Sequence, residues 1–338
     1  MMEGKLAWGV LGTGNIVRKA GPAIQASALG RWLGVAGRNA DNSRRAAEQY
    51  GVERAYPDYQ ALLDDPDIDA VYIALLNHLH KEWAVKAAAA GKHVLLEKPF
   101  ALNMQEALAI RDAALANGVA VMEAHVWRFY PAFPELKRMI DEGAIGELAM
   151  VQAHFSFVAA PTSTRLVKEW GGGSLYDVGC YPVAWSRYFF GCEPIGADGR
   201  FLWHPETGVD VRFAGTLDFG GGRTALISSA LDMALGSRFD LFGTRGVIRV
   251  VMRADADALT IWAEGPFGER TWTSDRISPF SRQADAFAAG VLEGGGPPFG
   301  LDDALGNQAA IDALFQSARE SRHIPIDQAR RQRRKSPE

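Results

Sequence analysis

The chain has 338 residues, of which 48% are hydrophobic and 22% charged, and its net charge is −4. That is enough apolar material for real cores in two domains, and the mildly acidic total gives no global pull towards nucleic acid or an anionic membrane. Two cysteines, Cys180 and Cys192, with no C-x-x-C pair, argue against a disulfide scaffold or a zinc site and suit a reducing compartment.

The first residues run directly into a strand-like segment, without a basic-then-apolar leader. No apolar stretch reaches the roughly 20 residues that a spanning helix needs. We therefore expect a cytoplasmic protein with neither membrane nor nucleic acid as partner.

Up to residue 125, short apolar runs alternate with helical patterns. Leu6–Leu11, Trp32–Ala36, Ala70–Leu76, Val94–Glu97 and Val119–Ala124 read as buried strands. Glu82–Ala90 and Met104–Asn117 read as alanine-rich helices, with Gly91 and Gly118 where C-terminal stops belong. Such alternation predicts right-handed crossovers and a doubly wound parallel sheet, a Rossmann dinucleotide-binding domain over residues 1–125.

After Pro131 the pattern changes. One helix, Pro134–Glu142, precedes strand-type segments at Ala149–Phe157, Arg212–Phe219, Thr224–Leu231, Arg238–Phe242 and Val247–Val251. Helical stretches at Ser281–Leu292 and Leu301–Arg319 follow. Strands without intervening helices predict an α+β domain over 126–325, with an open, largely antiparallel sheet covered on one face. The Thr224–Leu231 stretch is apolar in both phases, so we expect its open face to meet a second copy in a homodimer or homotetramer. Residues 326–338, with Arg330, Arg331, Arg333, Arg334 and Lys335, read as a basic, solvated tail.

The chemistry begins at Gly12-Thr13-Gly14-Asn15-Ile16, between the first strand and the first helix. Glycines there permit a tight turn and let the backbone approach a pyrophosphate seated on the helix N-terminus. Val17 replaces the third glycine of the usual fingerprint, so the helix should pack slightly further from the strand. The second strand ends Ala36-Gly37-Arg38, with no acid before Asp41. An acid would accept from the ribose 2′-hydroxyl of NAD, whereas a guanidinium suits a 2′-phosphate; we expect NADP rather than NAD.

At Glu97-Lys98-Pro99 the sequence resembles the glucose–fructose oxidoreductase / inositol dehydrogenase (Gfo/Idh/MocA) family. Asn77-His78-Leu79-His80, Arg128-Phe129-Tyr130-Pro131, Ile140 to Gly146, and Arg165-Leu166 through Gly171 to Tyr181 agree in order and context. The resemblance runs from Leu6 to about Arg319. It implies a Rossmann domain followed by a mixed α/β domain whose open sheet is the subunit interface. It also implies that Lys98, Asp177 and position 181 converge on the substrate carbinol, with Asn77, His80, Glu97 and Lys98 near the nicotinamide riboside and Arg165 near the nicotinamide or substrate. Tyr181, where inositol dehydrogenases carry histidine, is similar to the branch of NADP-dependent xylose dehydrogenase and trans-dihydrodiol dehydrogenase. Val17 and Gly37 depart from common family choices.

Oxidising an alcohol requires a hydride acceptor, which the cofactor supplies, and a base for the hydroxyl proton. A phenol of ordinary pKa near 10 needs roughly 4 kcal/mol to ionise about three units lower. One ammonium about 4 Å away contributes that much at an effective dielectric near 20, and Lys98 is the natural source. Tyr181 is then the proton acceptor, with Asp177, four residues earlier, orienting the hydroxyl or the lysine; Lys98 or Asp177 as acceptor is the competing assignment. An N-cap role for Asp177 and a packing role for Tyr181 are the bland alternatives. Among the aromatics flanking this segment, Trp127 and Trp170, with Arg128, are expected to line the substrate pocket. His78 and His80 lack the further ligands that a metal site requires.

The residues thus point to NADP-dependent oxidation of an aldose, polyol or cyclic diol. A nucleotide-binding regulator without turnover and an NAD(P)-dependent glycosidase are the alternatives.

Overall fold

The structure is a computed structural model that describes residues 4–254, 259–273 and 278–327. The five cationic residues of the expected tail lie outside the described residues. The chain forms two compact units, one within Met1–Phe129 and Asp275–Ala304, the other within Tyr130–Ser274 and Leu305–Glu338.

In the first unit β1 (Leu6–Leu11), α1 (Val17–Gln25), β2 (Gly30–Ala36), α2 (Ala40–Tyr50), β3 (Arg54–Tyr56) and α3 (Tyr59–Leu63) are followed by β4 (Ala70–Ile73), α4 (His80–Ala89), β5 (His93–Leu96), α5 (Met104–Asn117) and β6 (Val121–Glu123). The strands pair in the order β3-β2-β1-β4-β5-β6, all parallel. Burial of every residue of β1 and β4 explains their unbroken apolar runs, since helices cover both faces of such a sheet. Side-chain caps set the helix starts: Asn39 Oδ1 accepts from Asn42 N, Asp58 Oδ1 from Ala61 N and Asn103 Oδ1 from Glu106 N. Gly118 ends α5 at a φ of 65°, where a glycine costs least.

The second unit holds α6 (Ala132–Asp141), β7 (Leu148–Val158), α7 (Cys180–Phe190), β8 (Gly196–Trp203), β9 (Asp210–Asp218), β10 (Thr224–Ala230), β11 (Asp232–Gly243), β12 (Val247–Ala254), β13 (Leu259–Gly265) and β14 (Gly268–Thr273). The sheet is completed by β15 (Ile324–Pro325) and runs β14-β13-β12-β11-β7-β10-β9-β8-β15. Among the described residues of this sheet only β7 and β10 pair in parallel. Phe133, Trp185, Phe189 and Phe239 form its buried aromatic centre, with Phe189 and Phe239 centroids 5.1 Å apart. Among the described residues no helix is long and apolar enough to cross a membrane.

One segment departs from the expected boundaries. Helix α8 (Pro279–Leu292), read from sequence as part of the second domain, belongs to the first unit. Ala284, Phe287, Ala288 and Val291 form one helical stripe, and they join Trp8, Ile24 and Trp32 in a single core. The Phe287 and Trp8 rings lie 5.2 Å apart. Asp285 Oδ1 accepts from Leu29 N at 2.9 Å and from the Ser27 hydroxyl, and the Ser281 hydroxyl donates to the Ala23 carbonyl at 2.9 Å. The last long helix, α9 (Leu301–Glu320), contributes its residues from Leu305 onward to the second unit.

Removing the Phe287 ring should therefore destabilise the first unit. Phe287→Ala is expected to lower the unfolding free energy by about 3–5 kcal/mol, seen as a lower urea midpoint and lost amide protection in β1 and α1. An unchanged midpoint would show that α8 is not part of that core.

Candidate active site

The first unit gathers its candidate residues at the carboxyl ends of parallel strands. Gly12 follows β1 at a φ of 115°, and a Cβ there would lie 2.4 Å from the Ala74 carbonyl oxygen, so only glycine fits. Thr13, Gly14 and Asn15 are exposed, and a Cβ on Gly14 would meet nothing within 4 Å. Helix α1 then starts at Val17 with Ile16 as its N-cap, without a side-chain cap or an acid in its first turn. Val17, Arg18 and Lys19 N–H already donate to the Gly14, Asn15 and Ile16 carbonyls at 3.0 to 3.2 Å, so it is the exposed turn before them, at the positive end of the helix dipole and with no carboxylate beside it, that suits a phosphate. Val17 is buried in the core, so the missing third glycine is filled by packing.

Gly37, a departure from common family choices, has a local reason. A Cβ at this position would lie 2.8 Å from Asn42 Cβ, 3.1 Å from Ser43 N and 3.2 Å from Thr13 Cγ2. Its N–H donates to the Ser43 hydroxyl at 2.8 Å, which draws α2 against the strand end. The next residue, Arg38, is exposed, and among the described residues its guanidinium makes no hydrogen bond or ion pair. Asp41, the first acid after the strand, pairs with Arg44 instead. The position thus offers a cation and no competing carboxylate.

The turn Asn77–Leu79 follows β4, and His80 opens α4 fully buried. Its Nδ1 lies 2.8 Å from the Pro99 carbonyl and its Nε2 3.2 Å from the Leu75 carbonyl. Burial holds the ring pKa below its usual value. A neutral ring donates once, and the shorter contact favours Nδ1–H to Pro99. His80 thereby ties the loop after β4 to the loop carrying Lys98.

Two buried carboxylates brace that second loop. Glu97 Oε1 accepts from the Tyr72 hydroxyl at 2.5 Å and Oε2 from Lys98 N at 3.2 Å. Burial raises the Glu97 pKa, while the Tyr72 hydrogen bond and the Lys98 charge act against that rise. Glu123, at the end of β6, accepts from Phe100 N at 2.9 Å and lies 3.3 Å from His125 Nε2. Lys98, half-buried, stands between these anchors. Tyr72, Glu123 and His125 were missed from sequence, although a glutamate ending an otherwise apolar strand at Val119–Ala124 is a signal that could have marked Glu123.

In the second unit, Arg165 and Asp177 meet: Nε donates to Oδ2 at 2.5 Å. The Arg165 guanidinium also lies 5.4 Å from the Phe157 ring centre. The glycine run makes this approach possible. A Cβ on Gly172 would be 2.4 Å from the Arg165 carbonyl oxygen, and Gly173 N donates to that same oxygen at 2.9 Å. Leu175–Gly179 form a wider, π-type helical turn that runs into α7. Val178, Gly179 and Cys180 are buried there, whereas Asp177 and Tyr181 are both partly exposed. Asp177 does not cap this helix, since its carboxylate is turned to Arg165. Tyr181 packs edge-on to Phe155 with ring centres 5.4 Å apart.

The expected substrate-lining residues divide. Trp170 is exposed, whereas Trp127 and Arg128 are buried. The Arg128 guanidinium pairs with Asp303 at 2.8 Å and lies 4.2 Å from the Phe299 ring centre. Among the described residues no group of three His, Cys, Asp or Glu side chains could hold a metal ion.

The site residues fall in regions that match known proteins. Residues 6–125 match the model of an oxidoreductase family with an NAD-binding Rossmann fold, and residues 133–249 match the GFO/IDH/MocA C-terminal domain. The D-xylose 1-dehydrogenase (NADP(+)) 2 of Haloferax volcanii is 31% identical over 330 residues, covering 95% of this chain and 100% of that one. An aldose-aldose oxidoreductase from Caulobacter crescentus, solved with glycerol, superposes with a TM-score of 0.86 at 27% identity, covering 95% of this chain and 100% of its own. A 3-ketoreductase from Actinomadura kijaniata, solved with NADP and TDP-benzene, gives 0.84 at 29% identity, with 93% and 98% covered. With both family domains matched in order along its length, the chain belongs to the Gfo/Idh/MocA family of oxidoreductases.

Proposed function

We propose that this oxidoreductase is an NADP-dependent dehydrogenase acting on the CH–OH group of an aldose, polyol or cyclic diol. The observation that carries the proposal is Lys98, held on a loop anchored by His80, Glu97 and Glu123 at the carboxyl edge of a parallel sheet. A lysine whose backbone is braced in this way at the strand edge is suited to bring its charge to a transferring proton and hydride. The relatives named above, a D-xylose 1-dehydrogenase, an aldose-aldose oxidoreductase and a 3-ketoreductase, support the substrate class.

Gly12, Thr13, Gly14, Asn15 and Ile16 would hold the pyrophosphate, Arg38 the 2′-phosphate and Asn77 the nicotinamide riboside, with buried His80 and Glu97 bracing from behind the loops that meet it. When bound, NADP supplies the hydride acceptor. The chain supplies the rest: Tyr181 takes the hydroxyl proton, Lys98 provides the positive charge that eases this transfer, and Asp177 orients the hydroxyl. Arg165, paired with Asp177, aims that carboxylate, and exposed Trp170 offers a flat surface to a sugar ring. The open sheet face of the second unit, a concavity of about 980 Å³ where exposed Leu202, Leu226 and Met233 lie beside charged residues, is the surface we assign to a second copy in a homodimer or homotetramer.

A spectrophotometric screen of aldoses, polyols and cyclic diols with NADP and NAD separately tests the proposal. Net reduction of NADP by a free sugar or diol is expected. Glycoside cleavage without net reduction would instead identify a glycosidase, and neither would leave a nucleotide-binding regulator. In the same assay Lys98→Ala should lower turnover by about 10²- to 10⁴-fold while NADP binding persists; near-normal turnover would remove Lys98 from the chemistry. Arg38→Ala should weaken NADP by about 10- to 100-fold and leave NAD nearly unchanged, as measured by titration of each nucleotide. Equal losses would contradict the phosphate role.

A further inference from the structure

Asp210, at the start of β9, is a buried acid that none of the roles above uses. Its Oδ2 accepts two hydrogen bonds from the segment that leads into Asp177 and Tyr181: from Leu175 N at 2.7 Å and from the Ser174 hydroxyl at 2.8 Å. The Ser229 hydroxyl, on β10, donates in turn to Ser174 Oγ at 3.1 Å. The other oxygen faces Gly173, where a Cβ would lie 2.0 Å from Oδ1. Gly173 also holds a φ of 131°. The carboxyl and the glycine are therefore fitted to one another.

The start of the helical segment has no cap of its own. Ser174, at the N-cap position, makes no side-chain capping bond, although the first N–H groups of a helix need acceptors. Asp210 supplies that acceptor from a distant strand. Ser229 touches the far end of the same turn, since a Cβ on Gly179 would lie 2.8 Å from its hydroxyl oxygen. The π-type turn between these two contacts is a local insertion that sets how Asp177 is rotated relative to Tyr181.

We propose that Asp210 is a positioning residue: by accepting from Ser174 and Leu175 it fixes the turn Leu175–Gly179 and so aims Asp177 and Tyr181. This rests on the assignment of those two residues to the chemistry made above. Burial pushes the Asp210 carboxyl up to about 7 despite its two donors, so the acid is kept inside at a cost in stability. A leucine of similar size would fill the space without that cost; only an acceptor there can hold the turn.

The test is a double-mutant cycle in the full-length enzyme, with kcat, KM and NADP affinity measured for Asp210→Ala, Asp210→Asn, Tyr181→Phe and the Asp210→Ala/Tyr181→Phe pair. Asp210→Ala is expected to lower kcat by roughly 10- to 100-fold, with little change in KM or NADP affinity. Asp210→Asn, which keeps an acceptor oxygen, should recover most of that loss. In the Tyr181→Phe background, Asp210→Ala should cost far less than it does alone. The inference is overturned if Asp210→Ala multiplies the Tyr181→Phe loss by its full factor, or if it lowers only the melting temperature and leaves kcat unchanged. Should Asp210→Ala fail to fold, Ser174→Ala removes one donor and leaves the carboxyl; it must lower kcat with Tyr181 present and not in the Tyr181→Phe background. A different result separates the two claims: if Tyr181→Phe alone leaves kcat untouched, the catalytic assignment of Tyr181 fails and the inference falls with it.

Discussion

Parallel hydrogen bonding of β1 to both β2 and β4 is the constraint on which the first unit's chemistry depends. Parallel strands all finish at the same edge, so residues far apart in sequence emerge side by side. Gly12 accepts the consequence most directly, since its missing side chain lets the turn after β1 approach the Ala74 carbonyl after β4. Arg38, Asn77, His80 and Lys98 follow their own strands to the same edge. Hydrogen bonds between loops then replace flexibility with a fixed frame: His80 reaches Pro99, and Glu123 reaches Phe100.

Buried acids recur in these supports. Glu97 accepts from the Tyr72 hydroxyl and Lys98 N, Glu123 from Phe100 N, and Asp210 from the Ser174 hydroxyl and Leu175 N. Solvation would favour the same groups at the surface, and burial raises the pKa of both Glu97 and Asp210. Their compensation is geometric. A carboxylate with two acceptor atoms can hold two donors at once, so it fixes a loop more tightly than an amide or hydroxyl in the same place.

Much of this was legible in the residues. Fully buried parallel strands leave continuous apolar runs, and left-handed turns leave glycines, so β1 and α5 could be read to the residue and β5 and α4 within one or two, whereas β4 ends at Ile73, three residues before the expected Leu76, because the apolar run continues into the loop. Strand β3 could not. It is three residues long and is held by Arg54 reaching Asp65 and Asp67, at 2.8 Å each, rather than by an apolar run. Strands β8, β13 and β14, towards the two ends of the sheet, escaped for a related reason: they carry glycines and charges that resemble loops, as in Gly196-Ala197-Asp198-Gly199-Arg200. The attachment of α8 depends on Phe287 meeting Trp8 across most of the chain, which no local pattern encodes. Among site residues, glycines and the Glu97-Lys98-Pro99 run announced themselves, whereas Tyr72 and Asp210 look like ordinary strand residues until their partners are seen.

The central claim is that a carbinol hydrogen leaves as hydride for the nicotinamide while the chain accepts the proton. Incubation with NADP and a sugar or diol deuterated at its oxidised carbon, followed by mass analysis of the recovered nucleotide, tests this directly. The account predicts deuterium on the reduced nicotinamide ring. Oxidised product accompanied by unlabelled reduced nucleotide, or deuterium released to water, would contradict it.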